Sequence, residues 1–298
     1  MRVTVRVPAT SANLGPGFDT FGLALDLCND VTVDTDAPPG VSWEGEGADE
    51  LPVDGTDLVS TTMASIAATM DLSLPPLALH GVNRIPLARG LGSSSAATVA
   101  GVVLASRILD LGIDGGDVEP AVRDGFSVFS QAAGIEGHPD NAAPAAFGGL
   151  TIVVDGNVHR LEPHPELRTV VLVPRVRLDT AGARGALPDR VPMADAVFNL
   201  SHAALLVDAL TNDPSLLHEA LRDRLHQDAR LELVPEMADQ FDRIQALRRV
   251  PVCVSGAGPS LLAFPLDGAE IPPEALDGPG GWRALPLAIR RDGFTVDA

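Results

Sequence analysis

The chain contains no lysine: all 21 basic side chains among its 298 residues are arginine. That excludes a Walker-A lysine, a protein-kinase strand lysine, a pyridoxal Schiff base and a lysine nucleophile, each of which needs an amine on a flexible stem. A phosphate must therefore be held by main-chain N–H groups, hydroxyls, arginine or a metal ion. Cysteine is scarce as well, with only Cys28 and Cys253 far apart in the chain. No apolar leader pattern follows Met1, so a reducing, cytoplasmic setting is expected. Long hydrophobic runs are missing. The uncharged windows 90–106 and 250–266 fall short of a bilayer span and contain Ser, Gly or Pro, so no membrane partner is expected. Positive charge is outweighed by 40 acidic side chains, for a net charge of −19. Such a field repels nucleic acid, and no nucleic-acid partner is expected.

What is present describes a globular protein, because 45% hydrophobic residues suffice for a sizeable core. Val3, Val5 and Val7 alternate with polar neighbours as a half-buried strand that should stop at Pro8. Val31 and Val33 repeat the pattern after the apolar stretch 21–27. Segment 37–57 is rich in Gly, Pro, Asp and Glu and reads as a surface hairpin or loop. Helices are expected over 58–70, 96–111, 117–133, 195–210, 215–225 and 236–247. Further strands are expected over 77–82, 150–154, 169–173, 251–255, 261–265 and 284–289. Asp155-Gly156-Asn157 marks a tight turn, so the domains are expected to be 1–157 and 158–298. Helices and strands mingle without strict alternation, which favours an α+β fold over a doubly wound sheet.

Three glycine-rich loops stand at element ends. Residues 90–95, Gly-Leu-Gly-Ser-Ser-Ser, open a helix whose N-terminus presents unpaired N–H groups to an anion. Residues 8–19, Pro-Ala-Thr-Ser-Ala-Asn-Leu-Gly-Pro-Gly-Phe-Asp, follow the first strand. Residues 255–260, Ser-Gly-Ala-Gly-Pro-Ser, link two strands. Their convergence on one phosphorylated ligand is the sharper reading; an ordinary capped turn is the plainer one for any single loop.

These three segments, in this order, resemble the signature motifs of the GHMP kinases. His138-Pro139-Asp140-Asn141 and Leu225-His226-Gln227-Asp228-Ala229-Arg230 resemble the homoserine kinase branch in particular. The resemblance runs from Val5 to about Phe264. It implies a ribosomal protein S5 domain 2-like N-terminal domain and a ferredoxin-like C-terminal domain. It also implies phosphorylation of the side-chain hydroxyl of L-homoserine by ATP with Mg²⁺, a step toward threonine, and a homodimer. Two other readings stay open: a GHMP kinase for a different alcohol, and a catalytically silent ligand-binding protein of the same fold.

By motif match, Pro86, Arg89, Gly90, Leu91, Gly92, Ser93, Ser94 and Ser95 would line the ATP site, with Ser94 as a Mg²⁺ ligand. Many relatives carry a metal carboxylate some eight residues before the histidine, where this chain has Ser130 and Gln131. Glu136 is the nearest acid and the second metal candidate. A zwitterionic acceptor needs a carboxylate fork, for which Arg184 and Arg230 are the candidates, and an anion for its ammonium. Asp19 would take the ammonium or the hydroxyl. Asn13, His138 and Asn141 would orient the rest, with Asn141 and Asp19 as the catalytic pair. An amide cannot accept a proton, but phosphoryl transfer through a loose transition state depends chiefly on positioning and charge neutralisation.

Overall fold

The computed structural model describes residues 1–111, 127–178 and 180–297. The alternation at the start of the chain forms β1 (Arg2–Ala12), with Val3, Val5 and Val7 fully buried. The strand does not stop at Pro8. It continues to Ala12 through a register shift between Pro8 and Ala9, a bulge of the kind that tolerates a residue without an N–H. The stretches beginning at Phe21 and Val31 are one long strand, β2 (Phe21–Asp34), antiparallel to β1 with Val3 opposite Val33 and Val5 opposite Val31.

The acidic segment expected to be a loop holds an edge strand, β3 (Gly40–Gly45), which runs parallel to β4 (Ala78–Asn83). Trp43 lies over Gly81, where a Cβ would come within 2.1 Å of the indole. One half-buried indole outweighs a composition that otherwise reads as a loop. Between these strands lies α1 (Leu58–Thr69), capped by Asp57, whose carboxylate accepts from the Ser60 N–H.

Helix α2 (Ser93–Ile108) is buried on nearly every side, with Val99, Ala100, Val102, Val103 and Leu104 wholly inaccessible. Two short helices follow, α3 (Val128–Glu136) and α4 (Ala142–Phe147). The part of the expected 117–133 helix before residue 127 lies outside the described residues. The hairpin β5 (Leu150–Val154) and β6 (Asn157–Leu161) turns on Asp155 and Gly156, both with positive φ as a tight two-residue turn requires. β5 pairs with β2, so the first sheet continues past residue 157.

The second sheet is built from β7 (Thr169–Val173), β8 (Val252–Val254), β9 (Leu261–Ala263) and β10 (Arg283–Leu287), in the order β10-β7-β9-β8. All its pairings are antiparallel. Its helices are α5 (Thr180–Gly185), α6 (Met193–Thr211), α7 (Leu217–Ala220), α8 (Gln227–Leu233) and α9 (Pro235–Gln245). α9 lays Met237, Phe241 and Ile244, at helical spacing, onto a second core with Leu172, Val254 and Leu261. α6 is long and apolar enough to cross a membrane by length and composition. Here its Leu206, Ala209 and Leu210 are buried in the main core. A final strand, β11 (Thr295–Asp297), returns to pair with β1.

The helix expected over 215–225 is not continuous. A 3₁₀ turn leads into α7, and the chain then breaks at Asp223. The Asp223 carboxylate accepts from the main-chain N–H groups of His226 and Gln227, at 2.8 Å each, and from Asn199 Nδ2 at 2.6 Å. It thereby caps the start of α8 and fixes the segment that carries His226 and Arg230.

Candidate active site

The three glycine loops meet. The Ser255 hydroxyl donates to the Gly90 carbonyl at 2.7 Å, the Gly256 N–H to the Ala12 carbonyl at 3.1 Å and the Thr10 N–H to the Leu91 carbonyl at 3.1 Å. Such contact of main chain with main chain requires glycine. A Cβ on Gly90, whose φ is +68°, would lie 2.2 Å from the Ser255 carbonyl oxygen. A Cβ on Gly92, φ +65°, would lie 1.9 Å from Thr10 Oγ1. Gly92 caps α2 without a side chain, so the first-turn N–H groups remain available to an anion.

Beside this junction is a cleft of about 380 Å³ lined by Gly90, Leu91, Gly92, Ser93 and Ser94 at one side and His138, Asn141 and Gly256 at the other. Of the expected nucleotide residues, Pro86 and Ser95 are buried away from it. Arg89 lines the cleft, but its Nε, Nη1 and Nη2 donate to the carbonyls of Pro174, Leu87 and Arg175. Three of its five N–H groups thus join the two sheets' connecting segments, which leaves two for a ligand in the cleft.

The two metal candidates come together. Glu136, at the end of α3, accepts from Ser94 Oγ at 2.9 Å, Ser95 Oγ at 2.9 Å and Thr98 Oγ1 at 2.7 Å. One carboxylate ringed by hydroxyls at a helix N-terminus is a hard-oxygen donor set, and it suits Mg²⁺ completed by phosphate oxygens and water. Thr98 was not singled out from the sequence. Its position one turn after Ser94 and Ser95 on α2 is the signal that places it on the same face.

Asn141 accepts at Oδ1 from Thr10 Oγ1 at 2.7 Å, directly beneath Gly92. Its amide N–H groups are thereby the ones presented to the cleft. Asn13, expected to orient the acceptor, also braces the loops. Its Nδ2 donates to the Gly256 carbonyl at 2.8 Å and its Oδ1 accepts from the Asp19 N–H at 3.0 Å. With φ at +72° it also makes the turn itself, a conformation Asn tolerates better than most residues.

Charge is concentrated past Asn141. Arg184, on α5, forms a two-pronged pair with Asp19, Nη1 to Oδ2 at 2.9 Å and Nη2 to Oδ1 at 2.8 Å. Asp19 holds the guanidinium's pKa above its ordinary value. Arg230 is only 2% exposed. Its Nη1 donates to His226 Nδ1 at 3.0 Å and to the Gly256 carbonyl at 2.7 Å, and burial pushes its pKa down. His226 lies against the Gly15 carbonyl through Nε2 at 2.7 Å. Nε2 therefore carries the proton and Nδ1 offers its lone pair to Arg230. Burial pushes this histidine's pKa down to about 4, so the ring is neutral.

His138 sits with Nδ1 3.5 Å from Asp140 Oδ1, too long for a well-formed hydrogen bond but close enough for Asp140 to raise its pKa. His138 Nδ1, Asp140 Oδ1 and Arg230 Nε are all buried and have no hydrogen-bond partner among the described residues. Buried polar atoms seldom go unpartnered. Their concentration here marks the place where a polar ligand belongs. Asp140 was passed over in the sequence, although it stands between His138 and Asn141.

The N-terminal domain of GHMP kinases, as a family model, matches residues 57–149, which contain the loop at 90–95 and the whole of α2 to α4. That sets the class: a small-molecule kinase with a GHMP phosphate loop. The homoserine kinase of Clavibacter michiganensis subsp. michiganensis is 47% identical over 99% of this chain and 94% of its own length. That of Streptomyces avermitilis is 42% identical over 99% and 95%. The crystal structure of homoserine kinase from Cytophaga hutchinsonii superposes with a TM-score of 0.79 at 26% identity, covering 99% of this chain and 97% of that one. The chain belongs to the homoserine kinase family.

Proposed function

We propose that the chain transfers the γ-phosphoryl group of ATP to the side-chain hydroxyl of L-homoserine, with Mg²⁺ held by Ser94 and Glu136. One observation carries the choice of acceptor. Arg230 is a buried guanidinium with an unpartnered Nε, and it stands beside the Arg184–Asp19 pair at the end of the phosphate cleft. A zwitterion fits this arrangement charge for charge: its ammonium replaces Arg184 on Asp19, and its carboxylate takes Arg184 and Arg230.

ATP's phosphates would lie along residues 90–95, met by the first-turn N–H groups of α2. Bound Mg²⁺ supplies neutralisation of the charge on the β- and γ-phosphates. Asn141, locked by Thr10, would donate from its amide to the acceptor oxygen or the entering phosphoryl group. Asp19 already accepts from Arg184 at both oxygens, which suits it to anchoring the ammonium more than to abstracting a proton. The hydroxyl proton would leave with an oxygen of the transferred phosphoryl group. Catalysis then rests on positioning and electrostatics, as a loose transition state allows.

The test is an acceptor panel in a coupled ADP-release assay with L-homoserine, 3-aminopropanol and mevalonate. L-Homoserine is expected to be the preferred acceptor by a wide margin. Preference for mevalonate, or equal use of 3-aminopropanol, would leave only the broader GHMP kinase assignment. ATP binding without turnover of any acceptor would favour a ligand-binding role.

A further inference from the structure

The residue between Gly17 and Asp19 touches Arg184, Arg230 and His226 of the acceptor end. The Phe18 ring centroid lies 5.7 Å from Arg184 Cζ and 5.5 Å from Arg230 Cζ, and its face is stacked on the His226 imidazole at 5.3 Å. Both guanidiniums are within the distance at which a ring's negative quadrupole attracts a cation. His226 in turn supports Arg230 through Nδ1. Phe18 is thus a ring contact shared by two like charges, each within about 6 Å of its centroid.

We propose that Phe18 is a specificity-determining residue, a π-platform that spaces Arg184 and Arg230 to grip an α-carboxylate and so selects amino-acid alcohols over plain amino alcohols. The proposal rests on the reading of those two arginines as the carboxylate clamp. The need for a platform is greatest during binding. When the acceptor's ammonium draws Asp19 away, Arg184 loses its two-pronged partner, and two guanidiniums then face one carboxylate. The ring face then remains, with the attraction of Asp140, to hold Arg184 in place. Its rigidity also limits the rotamers left to each arginine, so less ordering is required when the carboxylate arrives.

A carboxylate-free acceptor separates this role from general support of the loop. Values of kcat/KM for L-homoserine and 3-aminopropanol would be measured for the wild type, Phe18→Leu, Phe18→Met and Phe18→Tyr, with calorimetric ATP binding as the check on folding. Phe18→Leu and Phe18→Met, which remove the π face, are expected to lower kcat/KM for L-homoserine about 10-fold, equal to about 1.4 kcal/mol. They should leave 3-aminopropanol within about 2-fold, and Phe18→Tyr should stay near the wild type on both acceptors, since a phenol keeps the ring face. Equal losses on both acceptors in either aliphatic variant, or no loss on L-homoserine, would overturn the proposal. Failure of the underlying clamp has a different signature: the wild type itself would not distinguish the two acceptors.

Discussion

The two ends of the cleft are built from different materials. At the nucleotide end the loops of residues 8–19, 90–95 and 255–260 touch through carbonyls and N–H groups, and the side chains that take part are serine and threonine hydroxyls around the single carboxylate of Glu136. At the acceptor end Asp19, Arg184, Arg230, His226 and Phe18 meet through charge and ring contacts. Main-chain donors at a helix N-terminus recognise any phosphate, so the first end suits a shared co-substrate. Charged groups at fixed separations discriminate between acceptors, because an unpaired buried charge is heavily penalised. Chemistry common to many kinases is held by backbone here, and selectivity by side chains.

If that division is right, damage at the nucleotide end should depress turnover whatever the acceptor. Ser94→Ala or Glu136→Gln is expected to lower kcat by roughly 10²-fold or more, the usual loss when one preorganised electrostatic contact is removed. Glu136→Gln should also raise the Mg²⁺ concentration needed for half-maximal rate, since an amide binds a hard cation more weakly than a carboxylate. A Mg²⁺ titration of initial rates checks both, and an unchanged titration would return Glu136 to a purely structural role with its three hydroxyls. Damage at the other end should be acceptor-specific. Arg184→Leu leaves the acceptor's carboxylate with one arginine in place of two; because Arg184 is 45% exposed, the loss should lie at the low end of the about 2 to 5 kcal/mol typical of buried charge pairs. kcat/KM for L-homoserine should fall by roughly 30-fold or more, with calorimetric ATP affinity unchanged.

The same contrast explains what could be read from the sequence. The nucleotide end is legible because its determinants are local. Gly90 and Gly92 require glycine for reasons of φ and close approach, and Ser94 follows within the same motif. The Asp155-Gly156 turn and the burial of Val3, Val5 and Val7 are legible for the same reason. The acceptor end is assembled across about 200 positions of chain, and there the motif match gave residues without their partners. Arg184 and Arg230 were named, yet nothing in spacing says that Arg184 meets Asp19 or that Arg230 leans on His226. Nor does spacing say that Asn13 and Arg89 bond carbonyls of other segments, since a polar side chain beside a glycine loop can brace it as well as face a ligand. β3 was hidden by acidic composition, and the break at Asp223 by an apolar pattern that would have suited one continuous helix.

Thr10 joins the two ends and tests how sharply they divide. It belongs to the first loop, its N–H bonds the phosphate loop at Leu91, and its hydroxyl orients Asn141 at the border of the acceptor site. Thr10→Val keeps the shape and removes the donor, leaving the Asn141 amide free to rotate. One net hydrogen bond is worth about 1 kcal/mol, and a mispositioned group in the transition state somewhat more. kcat is expected to fall about 10-fold with KM for ATP and L-homoserine little changed, and Thr10→Ser to restore most of it. A matching rise in KM for ATP would instead place the effect on the phosphate loop through Leu91.

The smallest effect concerns stability, and it sets the two histidines of the site against each other. His226 is pushed down to about 4 from its ordinary 6.5 by burial, against the weaker opposing pull of Asp223. Between those values the unfolded chain binds a proton that the folded chain refuses, so stability rises with pH through this window. The slope approaches 1.36 kcal/mol per pH unit, which amounts to about 1 kcal/mol lost between pH 6.5 and about 5.5. His138 has the opposite sign: Asp140 raises its pKa, so its contribution is complete below the ordinary value and is lost as pH rises through the raised one. The two windows therefore barely overlap. Urea unfolding at about pH 5.5, 6.5 and 7.5 should show the wild type losing about 1 kcal/mol more than His226→Gln on the acid side. On the alkaline side Asp140→Asn should flatten the decline due to His138. Equal acid-side slopes in the wild type and His226→Gln would mean that His226 takes up its proton as readily in the fold as in the unfolded chain, and so is charged below about pH 6.5. Arg230 would then face a second cation in place of a lone pair, and the charge arrangement of the acceptor end would have to be redrawn.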